Sequence, residues 1–350
     1  MKKWTGLIAL IISGILVEAQ VPTYYNDVNL TLTGMALKAE LAQKIINTHT
    51  TQLQYNDLWT VLQQTDLDPA NSNKVLLIYG YNDGDNNVVT DRTRIKTNYG
   101  GNNGQWNREH VYAKSLGTPD LGTVGPGADA HHIRCSDVQM NNNRGSKKFA
   151  TGSGNAGTVG SNWYPGNEWK GDVARMMMYM YLRYSSQCLP SNVGVGSSVS
   201  IDPSMITLFL QWNAEDDVST YETNRNNILE TEQGNRNPFI DNPYLATVIW
   251  GGTVANDHWN MTSTFDVKDS DSFFKVYPVP SYNGDLTIYL DESAEAENVE
   301  LFNLSGEKIL TLEADVFQNG QYTLKEIPKG FYLLKTLLNG EPITRKVIVN

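Results

Sequence analysis

The hydrophobic pattern of this chain changes period once, near Thr264, and that change commits it to two different folds in series. Before it, apolar residues recur three and four apart. Met35, Leu37, Leu41, Ile45 and Ile46 predict a helix over residues 34–46, and residues 55–64 predict a second. Asp172 is placed to cap a helix running through Arg175, Tyr179 and Arg183, whose Met176–Met180 run reads as core packing. Asp202-Pro203 is expected to open a helix over 208–212, and residues 218–232 form a further charged one. Residues 74–79 read as a short buried strand, followed by a polar turn from Asn82 to Asn87. After Thr264 apolar and polar residues alternate over 286–290, 299–303, 330–335 and 346–349. Asn303-Leu304-Ser305-Gly306-Glu307 and Leu338-Asn339-Gly340-Glu341 serve as hairpin connections. Short strands at regular spacing predict a small all-β, immunoglobulin-like sandwich.

A length of 350 residues has room for both parts. The polar run Asp266-Val267-Lys268-Asp269-Ser270-Asp271-Ser272 reads as a linker, assigned to residues 265–274. Residues 20–264 then form the first domain and 275–350 the second. At the N-terminus, Lys2 and Lys3 precede an apolar run over 7–17, too short for a membrane span, with Val17-Glu18-Ala19 suited to cleavage. Residues 1–19 are therefore expected to be a signal peptide, with the mature chain starting at Gln20. No other stretch has transmembrane length, so an exported protein without stable membrane insertion, and a monomer, is expected. After export Cys135 and Cys188 would meet an oxidising compartment; a bridge and two separate buried thiols are equally open.

The chemistry concentrates in three pieces. Trp106-Asn107-Arg108-Glu109-His110-Val111-Tyr112 sets a carboxylate beside an imidazole on a strand-like run. Asp129-Ala130-His131-His132-Ile133-Arg134 follows, and Met140-Asn141-Asn142-Asn143-Arg144 adds amides and a cation at the start of a helix. Oxygen ligands for a hard cation, a neutral base and positive charge for a phosphate are the components of a one-metal phosphodiesterase. A formal net charge of −11 argues against a protein that coats nucleic acid with its whole surface. Between Trp106 and Lys148, however, six cations outnumber four carboxylates. His131 and His132 lack the spacing of a zinc pair, since sequence neighbours diverge.

The order and spacing of these pieces resemble the endonuclease I family, within the His-Me finger (ββα-metal) superfamily of nucleases. Lys170-Gly171-Asp172-Val173-Ala174-Arg175-Met176 and Gln233-Gly234-Asn235-Arg236-Asn237-Pro238-Phe239-Ile240-Asp241 also resemble its bacterial members. The likeness runs from about Tyr24 to Trp259. It implies an α+β fold, a mainly helical ββα-metal nuclease domain followed by the sandwich. It further implies His110 as general base and Glu109 and Asn141 as ligands of Mg²⁺, with Ca²⁺ or Mn²⁺ as alternatives. His131, Arg134, Arg144 and Lys147 are candidates for holding phosphate or supporting the ligands. Adjacent strand residues point to opposite faces, so Glu109 and His110 can share a site only if the strand twists or ends there. If the helix register slips, Asn142 or Asn143 replaces Asn141. The family's transition-state arginine has no aligned counterpart, and the 233–241 segment reads as a buried turn.

The expected substrate is DNA, with RNA as an alternative. Few aromatic residues interleave the basic ones, so readout should be mainly of the phosphate backbone. Val276-Tyr277-Pro278-Val279-Pro280, Ile327-Pro328-Lys329-Gly330-Phe331-Tyr332 and the terminal Lys346-Val347-Ile348-Val349 resemble the C-terminal sorting domain of the type IX secretion system. Val279 departs from the family's Tyr-Pro-Asn-Pro opening. That likeness implies the type IX machinery as partner and a secreted or surface-attached location. The rival reading is a non-catalytic surface protein that binds nucleic acid or polysaccharide through the same fold.

Overall fold

The structure, a computed structural model, describes residues 21–261, 274–290, 298–303, 305–317, 319–338 and 341–350. The expected signal peptide and, apart from Phe274, the expected linker lie outside the described residues. The chain divides into two compact units between Asn260 and Met261.

In the first unit the helix Gly34–Thr48 buries Leu37, Leu41 and Ile45, one residue per turn on a single stripe. It packs on Lys170–Tyr184, which is buried without interruption from Gly171 to Leu182 and so forms the centre of the unit. The Met176–Met180 run lies inside that buried stretch, as core. Gly171 lets the next element approach, because a Cβ there would stand 2.5 Å from the Asp216 carbonyl oxygen. The helix Thr220–Gln233 starts with a capping box between Ser219 and Glu222 and stops at Gly234 in the left-handed region, φ 91°.

Three local expectations change. Asp172 caps nothing: the Lys170–Tyr184 helix begins after Trp169, and the Asp172 carboxylate turns inward to Arg134 at 3.1 Å. Asp202-Pro203 opens a strand, Asp202–Ile206, and the helix follows as Thr207–Glu215. The Asp202 carboxylate is taken by Lys38, Tyr181 and Trp250, so tertiary partners outbid the helix end. The strand expected over 74–79 runs instead from Asn71 to Leu76. It ends because the backbone crosses to a second sheet at Ile78, whose N–H donates to the Cys135 carbonyl, and Tyr79 takes φ 73°.

That second sheet carries the chemistry. Trp106–His110 pairs antiparallel with Ile133–Asp137, with Glu109 opposite Arg134 and His110 opposite Ile133. Trp106, Ile133 and Cys135 anchor the pair in a core with Leu58, Leu62 and Leu229. The helix Val138–Arg144 starts at once, because the Asp137 side chain accepts from the backbone N–H groups of Gln139 and Met140. Arg94 holds the other Asp137 oxygen at 2.6 Å. Strand, strand and helix form one ββα unit. Both cysteines are buried thiols without a bridge.

The second unit is all-β, with two antiparallel sheets. One is the three-stranded arrangement of Phe274–Tyr277, Leu286–Leu290 and Gln321–Leu324, with Leu286–Leu290 central. The other runs Lys308–Leu312, Val299–Asn303, Gly330–Leu338, Glu341–Val349. Alternate residues Leu286, Ile288, Val299, Leu301, Leu334 and Val347 fill the core. The mixed α+β class read from the sequence is the class observed.

Candidate active site

Glu109 and His110, neighbours on one strand, both line a groove of about 280 Å³. The strand ends at His110, which releases the alternation that would otherwise send the two side chains apart. Glu109 is 2% exposed. Its Oε1 accepts from the Tyr79 hydroxyl at 3.0 Å and from Arg144 Nη1 at 3.1 Å. Burial pushes its carboxyl up to about 7, against the opposing pull of Arg144 and Tyr79. Neither contact uses Oε2. Asn141 reaches the same groove from the helix, and its Nδ2 donates to Asn107 Oδ1 at 2.8 Å. That bond turns the Asn141 carbonyl oxygen into the free half of the amide. Asn142 and Asn143, the alternatives if the register slipped, line a different depression.

His110 Nε2 lies 3.0 Å from the Gly127 carbonyl oxygen. A carbonyl only accepts, so Nε2 carries the hydrogen and Nδ1 keeps its lone pair. Burial lowers the His110 pKa to about 3, assisted by His132, and the ring stacks on Tyr55 at 5.4 Å between centroids. The imidazole is therefore a neutral base over the whole physiological range. Its carbonyl partner sits in a loop that His132 also grips, through Nε2 to the Pro126 carbonyl at 2.7 Å. His131 does not reach the groove; it is buried, packed against the tilted ring of Tyr179 at 4.2 Å between centroids, with Nε2 3.3 Å from the Asn235 carbonyl. Asp129 fixes this turn by accepting the His131 backbone N–H, the Gln233 amide and the hydroxyls of Tyr179 and Tyr184. The 233–241 segment is thus structural, with Asn235 donating to Tyr179 and Arg236 paired to Asp241 and Glu230.

Of the expected cations, Arg144 takes the supporting alternative, while Arg134 and Lys147 lie away from the groove. Arg134 is fully buried and satisfied by Asp66, Asp172 and Tyr221, so no phosphate can reach it. Arg144 is 1% exposed and spends its guanidinium on Glu109 and on the carbonyls of His110 and Val111, at 2.8 and 2.7 Å. It braces the strand that carries Glu109 and His110, with its hydrogen bonds directed inward. Lys147 donates to the Asn143 carbonyl and lies outside the groove. Two cations that were not singled out do line it, Arg108 and Lys114. Arg108 is sandwiched over the rings of Tyr55 and Trp59, at 3.7 and 3.9 Å, and donates to the Tyr55 carbonyl. Lys114, half-buried, has an ammonium with no hydrogen bond or ion pair among the described residues. Its position four residues after His110 was the available signal.

A buried carboxylate, an amide oxygen, a neutral imidazole and a free ammonium on one groove form the kind of site found in enzymes that hydrolyse phosphodiesters. Comparison with known proteins agrees. Residues 33–244 match the Endonuclease I family and residues 275–350 the secretion system C-terminal sorting domain. The extracellular ribonuclease of Bacillus amyloliquefaciens is 41% identical over 245 residues, covering 67% of this chain and 80% of its own length. The extracellular ribonuclease of Bacillus subtilis (strain 168) is 41% identical over 244 residues, covering 66% and 80%. A crystal structure of dimeric latent PorU from Porphyromonas gingivalis aligns with 22% of this chain and 9% of that one, at 20% identity and TM-score 0.17, too little to carry an argument. The chain belongs to the Endonuclease I family. It is a secreted nuclease with a type IX sorting domain at its C-terminus.

Proposed function

We propose that this protein is a Mg²⁺-dependent endonuclease, largely indifferent to sequence, in which His110 Nδ1 is the general base. The observation that carries the reading is the bond from His110 Nε2 to the Gly127 carbonyl, which leaves Nδ1 as the lone-pair nitrogen in the groove. A water molecule attacks phosphorus while its proton passes to Nδ1. The bond from phosphorus to the 3′ oxygen breaks, that oxygen takes a proton from solvent, and a 5′-phosphate and a 3′-hydroxyl remain. Lys114 is the cation placed to hold the phosphate, with Arg108 beside it.

A hard divalent ion fits the donor set. Glu109 Oε2 and Asn141 Oδ1 are unused oxygens on one groove, and no group of three or more His, Cys, Asp or Glu that could hold a metal occurs among the described residues. Two protein oxygens with water completing the shell suit Mg²⁺, with Mn²⁺ or Ca²⁺ as substitutes. Bound there, the ion would neutralise charge on a non-bridging phosphate oxygen and on the departing 3′ oxygen.

The substrate is nucleic acid, and we assign DNA first. The ribonuclease names of the relatives support RNA as the second substrate. Residues 1–19 are assigned as a signal peptide, with the sorting domain directing the later step of export. No described helix is long and apolar enough to cross a membrane. The test is digestion of plasmid and of RNA by the natural enzyme with Mg²⁺ and with EDTA, plus calorimetric Mg²⁺ titration. Glu109→Gln and Asn141→Ala should each weaken the titration. Unchanged Mg²⁺ affinity in both variants removes these residues from the ligand set, and EDTA-resistant cleavage removes the metal.

A further inference from the structure

Beside the catalytic groove lies a larger trough of about 620 Å³. The two share one wall. The end of the Val138–Arg144 helix turns Asn141 and Arg144 into the groove, and sends Met140, Asn142, Asn143 and Lys147 to the trough. A strand of nucleic acid whose scissile phosphate sits in the groove can pass over this turn. It then brings the neighbouring nucleotide to the trough.

The lining states what part of that nucleotide it would take. No carboxylate lines it, and its one cation, Lys147, already donates to the Asn143 carbonyl at 2.5 Å. Lys147 keeps its charge and two further N–H groups, so a phosphate would meet a single cation there, held to one side by that bond. The other unused polar groups are neutral: the hydroxyls of Tyr81 and Thr158, the Trp163 indole N–H and three amides. Asn142 makes no side-chain hydrogen bond among the described residues. Asn143 and Asn87 each commit Oδ1, to Gln139 and to the Val89 N–H, which leaves Nδ2 in both cases. Beneath them Met140 and Trp163 are buried, 5% and 2% exposed, and contribute apolar floor. Amides set a donor and an acceptor side by side, the pattern that matches the edge of a base, above a floor suited to its flat face.

We infer that this trough is a nucleobase subsite for the nucleotide next to the cleaved bond, a reading that rests on the nuclease assignment above. A base reaches it only when unstacked and unpaired, so the substrate it favours is single-stranded nucleic acid. The trough's aromatic residues, Tyr81 and Trp163, lie outside the basic 106–148 run, which explains why the subsite left no mark in the pattern of basic and aromatic residues.

The experiment uses an end-labelled single strand of whichever nucleic acid the natural enzyme cuts, carrying one abasic nucleotide. Cut sites along the strand are mapped for the natural enzyme and for Asn142→Ala/Asn143→Ala, both positions being exposed on the helix surface. The natural enzyme should show a notch in its ladder at one fixed offset from the lesion, with cutting suppressed about tenfold. In the double variant the notch should fill in while cutting elsewhere continues. A ladder without a notch overturns the subsite, as does a notch that persists unchanged in the variant. No ladder from the intact single strand while plasmid is cut also overturns the subsite, whereas no cleavage of plasmid, single strand or RNA would overturn the nuclease reading itself.

Discussion

His110 is held by one hydrogen bond whose direction is forced by the chemistry of its partner, and its role can be separated from binding on that ground. His110→Ala should lower kcat by about 10²–10⁴-fold with little change in KM, measured on an oligonucleotide substrate. Arg144 should behave in the opposite way. Its guanidinium neutralises a buried carboxylate and satisfies two carbonyls, so Arg144→Ala strands Glu109 without a counter-charge. Denaturant titration should show a loss of about 3–5 kcal/mol, where a phosphate-binding arginine would have cost only affinity. His131 and His132 contribute to the response to acid with the same sign as His110, lowered to about 3, while Glu109, raised to about 7, opposes them between about pH 7 and pH 4.5. Burial lowers His131 and His132 to about 4 in the folded chain. As pH falls below the ordinary histidine value the unfolded chain takes up these protons and the folded one does not. Stability should therefore decline between about pH 6.5 and pH 4, by about 1.4 kcal/mol per pH unit for each histidine. Denaturation midpoints whose pH dependence across that window is the same in the natural protein and in His132→Gln would show that the His132 ring is not held neutral.

At the scale of elements, the loop over 122–128 is as much a part of the site as the strand. Gly127 supplies the carbonyl that sets the His110 tautomer, and a Cβ at Gly127 would stand 2.1 Å from the Gly122 carbonyl oxygen. Gly127→Ala must therefore move the loop. Its expected mark is a fall in kcat with Mg²⁺ affinity intact, because Glu109 and Asn141 lie on other elements; calorimetry beside steady-state kinetics checks both. The ββα unit itself was legible. The residues announced a strand-like run carrying Glu109 and His110 and a helix carrying the asparagines, which fall in its second half rather than at its start. The second strand, Ile133–Asp137, came only with the family likeness. Which of the two expected roles, holding phosphate or supporting the ligands, Arg134 and Arg144 would take was not legible, because a cation's function depends on which carboxylates the rest of the chain folds over it. Asp66 and Asp172 meet Arg134 from 68 and 38 residues away. Asp172 and Asp202 misled for the same reason: each has the residue type of a cap, and each is spent on a distant partner.

For the whole molecule, the division between Asn260 and Met261 leaves every residue of the groove and of the trough in the first unit. That unit has its own buried core around the Lys170–Tyr184 helix, so it needs no help from the sandwich to fold. A protein of residues 21–260 should unfold cooperatively and cut nucleic acid with kcat/KM within about twofold of the full chain, as expected for compact units with separate cores. A folded but inactive fragment would mean that the sandwich contributes to the site. In the producing cell the same shortened chain should fail to reach the medium, and immunoblots of culture supernatant against the periplasm decide that.

The sequence by itself determined the two fold types, because the period of apolar residues is a local property that each segment carries alone. It also nominated His110 as base and Glu109 and Asn141 as oxygen donors, through a family likeness carried by short runs whose spacing survives without the fold. Tertiary structure alone decided that Glu109 and His110 face one groove, that Lys114 is the free cation there, and that three asparagines in a row serve two different depressions. The physical reason is that burial, charge pairing and the end of a strand arise from segments far apart in the chain. Residue type shows what a group can do; the surrounding packing shows whether anything can reach it.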